Sequence, residues 1–472
     1  MRCVKWRRTV IVLMVAAIVG LLIAWWPRDA PDLDAAQPIS SAPQVKAPSP
    51  SAASTVPAEP VIEQPVAAAR ALTRFQEGFC SSEGEETMRT GKVIAKLLAV
   101  ELDRRRRAPE PPSPDEADLT RLLSLVFEKA ADESEAQRAQ LELAQRLAER
   151  LPSSVWPQLV LAMSAKRVGH SDAELVALRR ARQVLPHDPA IGLAIALATR
   201  SAPDLGEAIS GLNDYLAAED SPGFARMRAR LEVQRDLQHD FSRRSFRGIT
   251  LLWPPEVLTF QQASSVLDAI DAVLSEAASL TDTVRRPTLT AVVYPGRSEL
   301  LAVSCVPTWA GGLFDGVLRL VAANDAASEG SGLGVRRKTL RHETLHAQLT
   351  PAVPNAPRWF HEGTAQSFAE EDFEARSQWR LMVRNHVWIP FESLDGSFGV
   401  LSGNDAALAY AQSLALVEYL RRRCGSRALG QAIEAFQAGA STNEALAAAC
   451  HRSEVTGAEL INHLAERLDA SP

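Results

Sequence analysis

The sequence has few cysteines and no excess of positive charge. It holds five cysteines among 472 residues, and none forms a Cys-x-x-Cys pair, which argues against a cysteine zinc site. The formal net charge of −6 and the pI near 5.9 argue against nucleic acid as a partner, because such proteins favour a basic face. Cys424 and Cys450 lie in the same helical tail and can be bridged, but the sequence does not fix the connectivity.

The N-terminus contains an uncharged, mainly apolar segment over residues 9–26, which would be about 27 Å long as a helix. Basic residues precede this segment and acidic residues follow it. The positive-inside rule then predicts a cytoplasmic N-terminus and a bulk of the chain that is periplasmic or extracellular. We predict a single-pass signal anchor over residues 1–26 in the inner (cytoplasmic) membrane, with a cleaved signal peptide as the alternative. Residues 27–70 are rich in proline, alanine and serine, which predicts an extended linker.

Residues 71–246 repeat apolar positions at three- and four-residue spacing, which predicts helices throughout. The pair Leu151-Pro152 recurs 34 residues later as Leu185-Pro186. This period resembles degenerate tetratricopeptide repeats, a surface for a protein partner, with a plain helical bundle as the alternative.

The pattern changes near residue 247. Residues 248–253, 289–294 and 316–321 predict strands, and Phe260–Leu280 predicts an amphipathic helix between the first two. After residue 334 the pattern is again mostly helical. The predicted fold class is therefore multidomain: an N-terminal transmembrane helix, an all-α helical-repeat-like region, and a C-terminal α+β domain over residues 247–472.

One segment carries the pattern His-Glu-x-x-His. His342 and His346 are four residues apart, so on a helix both imidazoles project from one face and can bind one metal ion. Glu343 lies beside them, placed to take a proton from an activated water. Zinc accepts two imidazoles and a carboxylate and leaves a fourth position open, so Zn²⁺ is the predicted cofactor, although other divalent metals can occupy such sites.

A third ligand is expected from the next helix. Three prolines within residues 351–357 end the first helix, and Glu362 follows His346 by 16 residues, enough for the chain to reverse. Glu362 is the predicted third ligand, and His361 is the competing ligand. Neighbouring residues on a helix point about 100° apart, so both cannot face the metal. Gly363 is small and allows a close approach of the two helices.

These motifs resemble the gluzincin peptidases, in particular the peptidase MA-like domain of bacterial proteins. The resemblance rests on His-Glu-x-x-His, the proline-broken loop and Trp-x-x-Glu-Gly-x-Ala over residues 359–365, and it covers roughly residues 248–465. It implies a zincin-like domain with metal ligands and a general base at four positions. The ligands are His342, His346 and Glu362, and the base is Glu343. It also implies an edge strand within residues 310–321 that holds an extended peptide.

The same resemblance suggests one further role, and two other interpretations rest on the residues alone. Related peptidases use a tyrosine from a downstream helix to stabilise the oxyanion, and Tyr410 is the candidate, with packing in a helix interface as the alternative. Gln366 is a candidate for orienting a ligand imidazole. The acidic run Glu370–Asp372 is interpreted as a solvated helix face, with a second metal site as the alternative.

The predicted function is a membrane-anchored zinc peptidase that hydrolyses peptide or protein substrates with a metal-activated water. An endopeptidase is preferred over an aminopeptidase, because no motif supplies an anionic subsite for a free amino terminus. The alternative is a non-catalytic envelope scaffold, in which the helical repeats bind a partner and the zincin domain is structural.

Overall fold

The structure is a computed structural model, and all the residues it describes belong to one compact unit, residues 65–472. The described ranges are 90–107, 113–127, 133–167, 170–281, 287–304, 310–323, 332–371, 389–396 and 403–451, with the single residues 306, 398, 456 and 459.

The first part of the described chain is helical. Its helices are α1 Thr90–Arg106, α2 Pro114–Phe127, α3 Glu133–Arg150, α4 Val155–Arg167, α5 Ser171–Val184, α6 Pro189–Thr199, α7 Gly206–Ala218 and α8 Pro222–Leu237. Each helix packs on the next in the chain, and their apolar faces enclose one core. Helix α6 begins where Asp188 accepts hydrogen bonds from the N–H groups of Ala190 and Ile191, with Pro189 in the first turn. Helices are confirmed between Thr90 and Leu237, but Ser242–Phe246, which was predicted to be helical, forms a strand. Residues 71–89 lie outside the described ranges, and the likeness to tetratricopeptide repeats stays a prediction.

A five-stranded sheet follows, in the order β1-β2-β3-β5-β4. Its strands are β1 Ser242–Phe246, β2 Ile249–Trp253, β3 Leu289–Tyr294, β4 Gly312–Phe314 and β5 Val317–Val321. β3 pairs in parallel with β2 and β5, while β1 and β4 are antiparallel outer strands. All six residues of β3 are buried, as expected for a continuous apolar strand in the middle of a covered sheet. The three predicted strands and the helix between the first two are confirmed to within one residue at each end.

Helices cover both faces of the sheet. Helix α9, Phe260–Thr281, and helix α11, Arg337–Ala352, pack on one face, where Leu251, Val293 and Leu318 point. Helix α8 and the short helix α10, Arg297–Val303, pack on the face that carries Val292 and Tyr294. The helical part is thereby attached to the sheet directly.

The C-terminal helices form a separate core beside the sheet. They are α12 Arg358–Phe368, α13 Gly403–Cys424, α14 Ala428–Gln437 and α15 Thr442–Cys450, with a 3₁₀ turn at Phe391–Leu394. Leu345 and Leu349 of α11 and Trp359 and Phe360 of α12 are among its fully buried members. A disulfide joins Cys424 at the end of α13 to Cys450 at the end of α15.

The predicted fold class and the predicted location are both wrong. The predicted fold class is a multidomain chain with a transmembrane helix, an all-α repeat-like region and a C-terminal α+β domain. The structure shows instead a mostly helical chain with one small sheet. The reason is that the strands have only three to six residues each, whereas helices build the remaining cores. The predicted inner-membrane, single-pass location is also contradicted, because no helix within the described ranges is long and apolar enough to cross a bilayer. The predicted anchor, residues 1–26, and the linker, residues 27–70, lie outside those ranges.

Candidate metal centre

Helix α11 presents both motif histidines on its buried side. His342 and His346 are 9% and 7% exposed, and their ring centroids lie 4.9 Å apart. Leu345 and Leu349 of the same helix are fully buried in the C-terminal core. This apolar anchorage fixes the helix, and the helix in turn fixes the two imidazoles one turn apart.

Helix α12 brings Glu362 to the histidines. Helix α11 ends at Ala352, and Pro357, in an extended conformation, forms the N-cap of α12. Proline fits this position because its ring fixes φ at about −65°, and Pro357 has φ −66°. The two helices then pack together, and Glu362 is 1% exposed.

Three side-chain atoms converge at this point. His342 Nε2 lies 3.2 Å from His346 Nε2 and 3.2 Å from Glu362 Oε2, and His346 Nε2 lies 3.5 Å from the same oxygen. Zinc binds nitrogen and oxygen ligands at about 2.0–2.1 Å, which in a tetrahedron separates the ligand atoms by about 3.3–3.4 Å. The three observed distances match this spacing. Together with Glu343, the two histidines form a cluster that can hold a metal ion.

The competing ligand, His361, faces elsewhere. Its Nε2–H donates to the carbonyl oxygen of Val353 at 3.1 Å, and its ring centroid is 6.4 Å from that of His346. Burial, with further contributions from His346 and Arg358, lowers the pKa of His361 to about 4. The His361 ring is therefore neutral, and it binds the backbone at the C-terminal end of α11. Of the two residues, Glu362 is the one that contacts His342.

Gly363 makes a close helix approach, although not the expected one. A methyl group added there would clash with the carbonyl oxygen of Ser413 and lie 2.7 Å from Val417 Cγ2. Both residues belong to α13, not to α11. Gly363 therefore allows α12 to pack closely on α13, and this contact fixes the position of the Glu362 carboxylate.

Glu371 binds the outer nitrogen of His342, which sequence reasoning missed. Its Oε1 lies 2.9 Å from His342 Nδ1, so the ring can donate from Nδ1 and present Nε2 to the other two ligand atoms. A carboxylate in this position fixes the tautomer and orientation of a metal-binding imidazole. The interpretation of Glu370–Asp372 as a solvated face is thus wrong for Glu371.

The backbone explains how Glu371 reaches this place. Glu370 has a left-handed conformation with φ 57°, and the N–H of Glu371 donates to the carbonyl oxygen of Gln366 at 3.0 Å. This is the pattern of a Schellman motif, which usually has glycine at the left-handed position. Because glutamate stands there instead, the sequence carries no signal for the turn. Gln366 is buried, and its Oε1 has no hydrogen-bond partner within the described residues.

The charges at the site are strongly coupled. Burial alone would lower the pKa of His342, but Glu371 and Glu362 hold it well above its ordinary value. Burial alone would raise the pKa of Glu362, but His346 and Arg358 hold it well below its ordinary value. Glu362 is therefore a carboxylate, the form that binds a metal ion.

Tyr410 of α13 lies at the same site. Arg358 donates a hydrogen bond to its hydroxyl group, and the ring packs edge-on against Phe398 with the centroids 5.3 Å apart. Burial, followed by the charge of Glu362, raises the pKa of Tyr410 above its ordinary value. The hydroxyl group therefore keeps its proton at neutral pH and can donate it in a hydrogen bond.

The outer strand β4 lies against the part of α11 where the His-Glu-x-x-His motif begins. A methyl group added at Gly312 would lie 2.6 Å from Thr339 Cγ2 and 3.1 Å from Glu343 Cγ. Burial raises the pKa of Glu343, and His342 and His346 oppose that rise. Within the predicted edge segment, β4 is the strand at the edge of the sheet, whereas β5 lies inside it.

Comparison with known proteins supports a peptidase domain. Residues 269–459 match the family model of the Peptidase MA superfamily. The match covers the sequence from α9 to beyond α15 and supports a peptidase MA-like domain there, and so a protease. Peptidases of this superfamily are typically metal-dependent, in agreement with the His-Glu-His cluster. No curated protein matches the chain.

Proposed function

We propose that this protein is a zinc-dependent peptidase with the ligands His342, His346 and Glu362. The observation that carries the proposal is the mutual spacing of 3.2, 3.2 and 3.5 Å between the three ligand atoms. Two neutral imidazoles and one carboxylate are the ligand set of catalytic zinc sites, which leave one position for water or substrate. A zinc ion held there would act as a Lewis acid, polarising a peptide carbonyl and making a water molecule more acidic.

Glu343 is the general base in this proposal. It follows the first ligand directly and belongs to the same cluster, so its carboxylate lies beside the metal position without being needed as a ligand. Its raised pKa brings it nearer to neutral pH, where a carboxylate can take a proton from water and later return it to the departing amine. Tyr410 would donate a hydrogen bond to the oxyanion, since its own oxygen already accepts one from Arg358.

The substrate is proposed to bind along β4. This strand has only three residues and pairs with β5 on one side, while its Gly312 contacts the helix that carries Glu343. An extended peptide can add to such an edge by main-chain hydrogen bonds. Binding of this kind holds the interior of a chain across the site, which favours an endopeptidase.

The test compares the full-length protein with Glu343→Gln. Both are loaded with zinc, and cleavage of a fluorescence-quenched peptide library is followed together with bound metal. We expect Glu343→Gln to keep one zinc per chain and to lose cleavage by about 10²–10⁴-fold, the usual contribution of a positioned general base. Equal cleavage by both proteins would refute the role of Glu343. A folded wild-type protein that binds zinc but cleaves nothing in the library would point to the scaffold function instead.

A further inference from the structure

Arg358 contacts the candidate metal centre from the first turn of α12. It lies one turn before Glu362, and its Nη2 is 2.5 Å from Glu362 Oε1. The Arg358 side chain is 47% exposed, whereas that of Glu362 is 2% exposed. A half-exposed guanidinium group therefore reaches inward to a fully buried carboxylate.

The two oxygens of Glu362 have separate partners. Oε1 is bound by Arg358, while Oε2 faces His342 Nε2 at 3.2 Å and His346 Nε2 at 3.5 Å. A carboxylate without a partner on Oε1 could turn both oxygens toward a metal ion. The pairing with Arg358 leaves a single oxygen for that role.

The same guanidinium group also reaches the next helix. Arg358 donates to the hydroxyl group of Tyr410 on α13, so it links a proposed ligand to the proposed oxyanion donor. A guanidinium group is planar and holds several N–H donors at fixed angles, which suits it to fix two acceptors at once. A lysine at this position would present the charge without the fixed geometry.

Helix stability does not account for this arginine. The N-terminal turn of a helix favours acidic side chains and disfavours cations, and α12 has no acidic residue in its first turn. An arginine there opposes the helix dipole. Its ion pair with Glu362 is the contact that compensates, and that contact is made at the metal centre.

We propose that Arg358 is a positioning residue that directs one oxygen of Glu362 to the metal and fixes the hydroxyl group of Tyr410 beside it. This inference rests on the proposed function, since it requires that Glu362 bind the metal. Removal of Arg358 would free Oε1, allow Glu362 to bind through both oxygens or to turn away, and release Tyr410.

The experiment uses the full-length protein and the variants Arg358→Met and Arg358→Lys. Arg421→Met is the matched control, because Arg421 on α13 is exposed and binds Ser367 of α12 at 3.0 Å without contacting a proposed ligand. Three properties are measured: zinc affinity by competition with a chelator, the visible spectrum of the cobalt(II)-substituted protein, and thermal unfolding without metal. The cobalt spectrum reports the number of ligands, which a loss of helix stability would not change.

We expect Arg358→Met to lower zinc affinity by roughly 10–100-fold, the usual loss when a group that orients a metal ligand is removed. The cobalt absorption should change as well, because the number of Glu362 oxygens bound to the metal changes. Arg358→Lys should fall between Arg358→Met and wild type, and Arg421→Met should match wild type. Wild-type affinity and an unchanged cobalt spectrum in Arg358→Met would overturn the inference, and if that variant does not fold, the same readings on Arg358→Lys decide. A wild-type protein that binds neither zinc nor cobalt would overturn the proposed function itself.

Discussion

Replacement of Glu371 should weaken metal binding, because this residue supports a proposed ligand without touching the metal. Glu371→Leu removes the acceptor that lies 2.9 Å from His342 Nδ1. Leucine keeps a similar size, and its position after the left-handed residue of a Schellman motif commonly carries an apolar side chain. The change therefore leaves the turn intact and frees the imidazole of His342 to rotate or to change its tautomer.

The expected loss of zinc affinity follows from the hydrogen bond between Glu371 and His342. Hydrogen bonds to charged groups contribute about 1.5–3 kcal/mol, and partial exposure reduces the value. The side chain of Glu371 is 31% exposed, which places the loss near the lower limit, about 1.5 kcal/mol. That corresponds to about a tenfold loss of zinc affinity, within the range known for partners of metal-binding histidines.

The assay is a competition titration of zinc between the protein and a chelator of known affinity. Glu370→Asn is the control: it removes the same charge one residue earlier, its side chain is exposed, and asparagine tolerates the left-handed backbone at φ 57°. We expect the tenfold loss in Glu371→Leu alone. The same zinc affinity in Glu371→Leu and wild type would show that Glu371 does not support His342 as a ligand, and equal losses in both variants would show that only net charge matters.

Two further predictions concern glycines at the site. Gly312→Ala should lower kcat/KM by about 10–100-fold with bound metal unchanged, because the new methyl group would clash with Thr339 Cγ2 at 2.6 Å and crowd Glu343 Cγ at 3.1 Å, which misplaces the base. Gly311→Ala, whose methyl group would lie 3.6 Å from Thr339 Oγ1, should be nearly neutral. Equal activities in the two variants would show that this crowding does not displace Glu343. Gly363→Ala should destabilise the fold by about 1–3 kcal/mol, the range for overpacked interiors, because its methyl group meets the backbone of α13. Thermal unfolding measures that change, and an unchanged midpoint would show that the two helices can separate without cost.

The sequence predicted those parts of the molecule that depend on local pattern. The continuous apolar run of β3 and the amphipathic α9 could be read directly, because their burial follows strand and helix periodicity. The spacing of His342 and His346 placed both rings on one helix face. A proline-broken loop of suitable length then brought Glu362 to them.

Features that depend on tertiary contact were missed. β1 has the sequence SRRSF, and no residue in it is fully buried, so no apolar alternation marks it as a strand. Glu371 reaches His342 through a left-handed turn that lacks the usual glycine. Arg358 opposes the helix dipole at its position, so a pattern of local preference gives no reason to select it. Contacts at the site, and not the pattern of neighbouring residues in the chain, explain the positions of Glu371 and Arg358.

The proposed function requires that His342, His346 and Glu362 bind one zinc ion. The most direct test is elemental analysis of the full-length protein after loosely bound metal is removed, with His346→Ala and Glu362→Ala measured in parallel. We expect one zinc per wild-type chain and none in either folded variant. A folded wild-type protein without bound metal, or variants that keep the full amount, would contradict it.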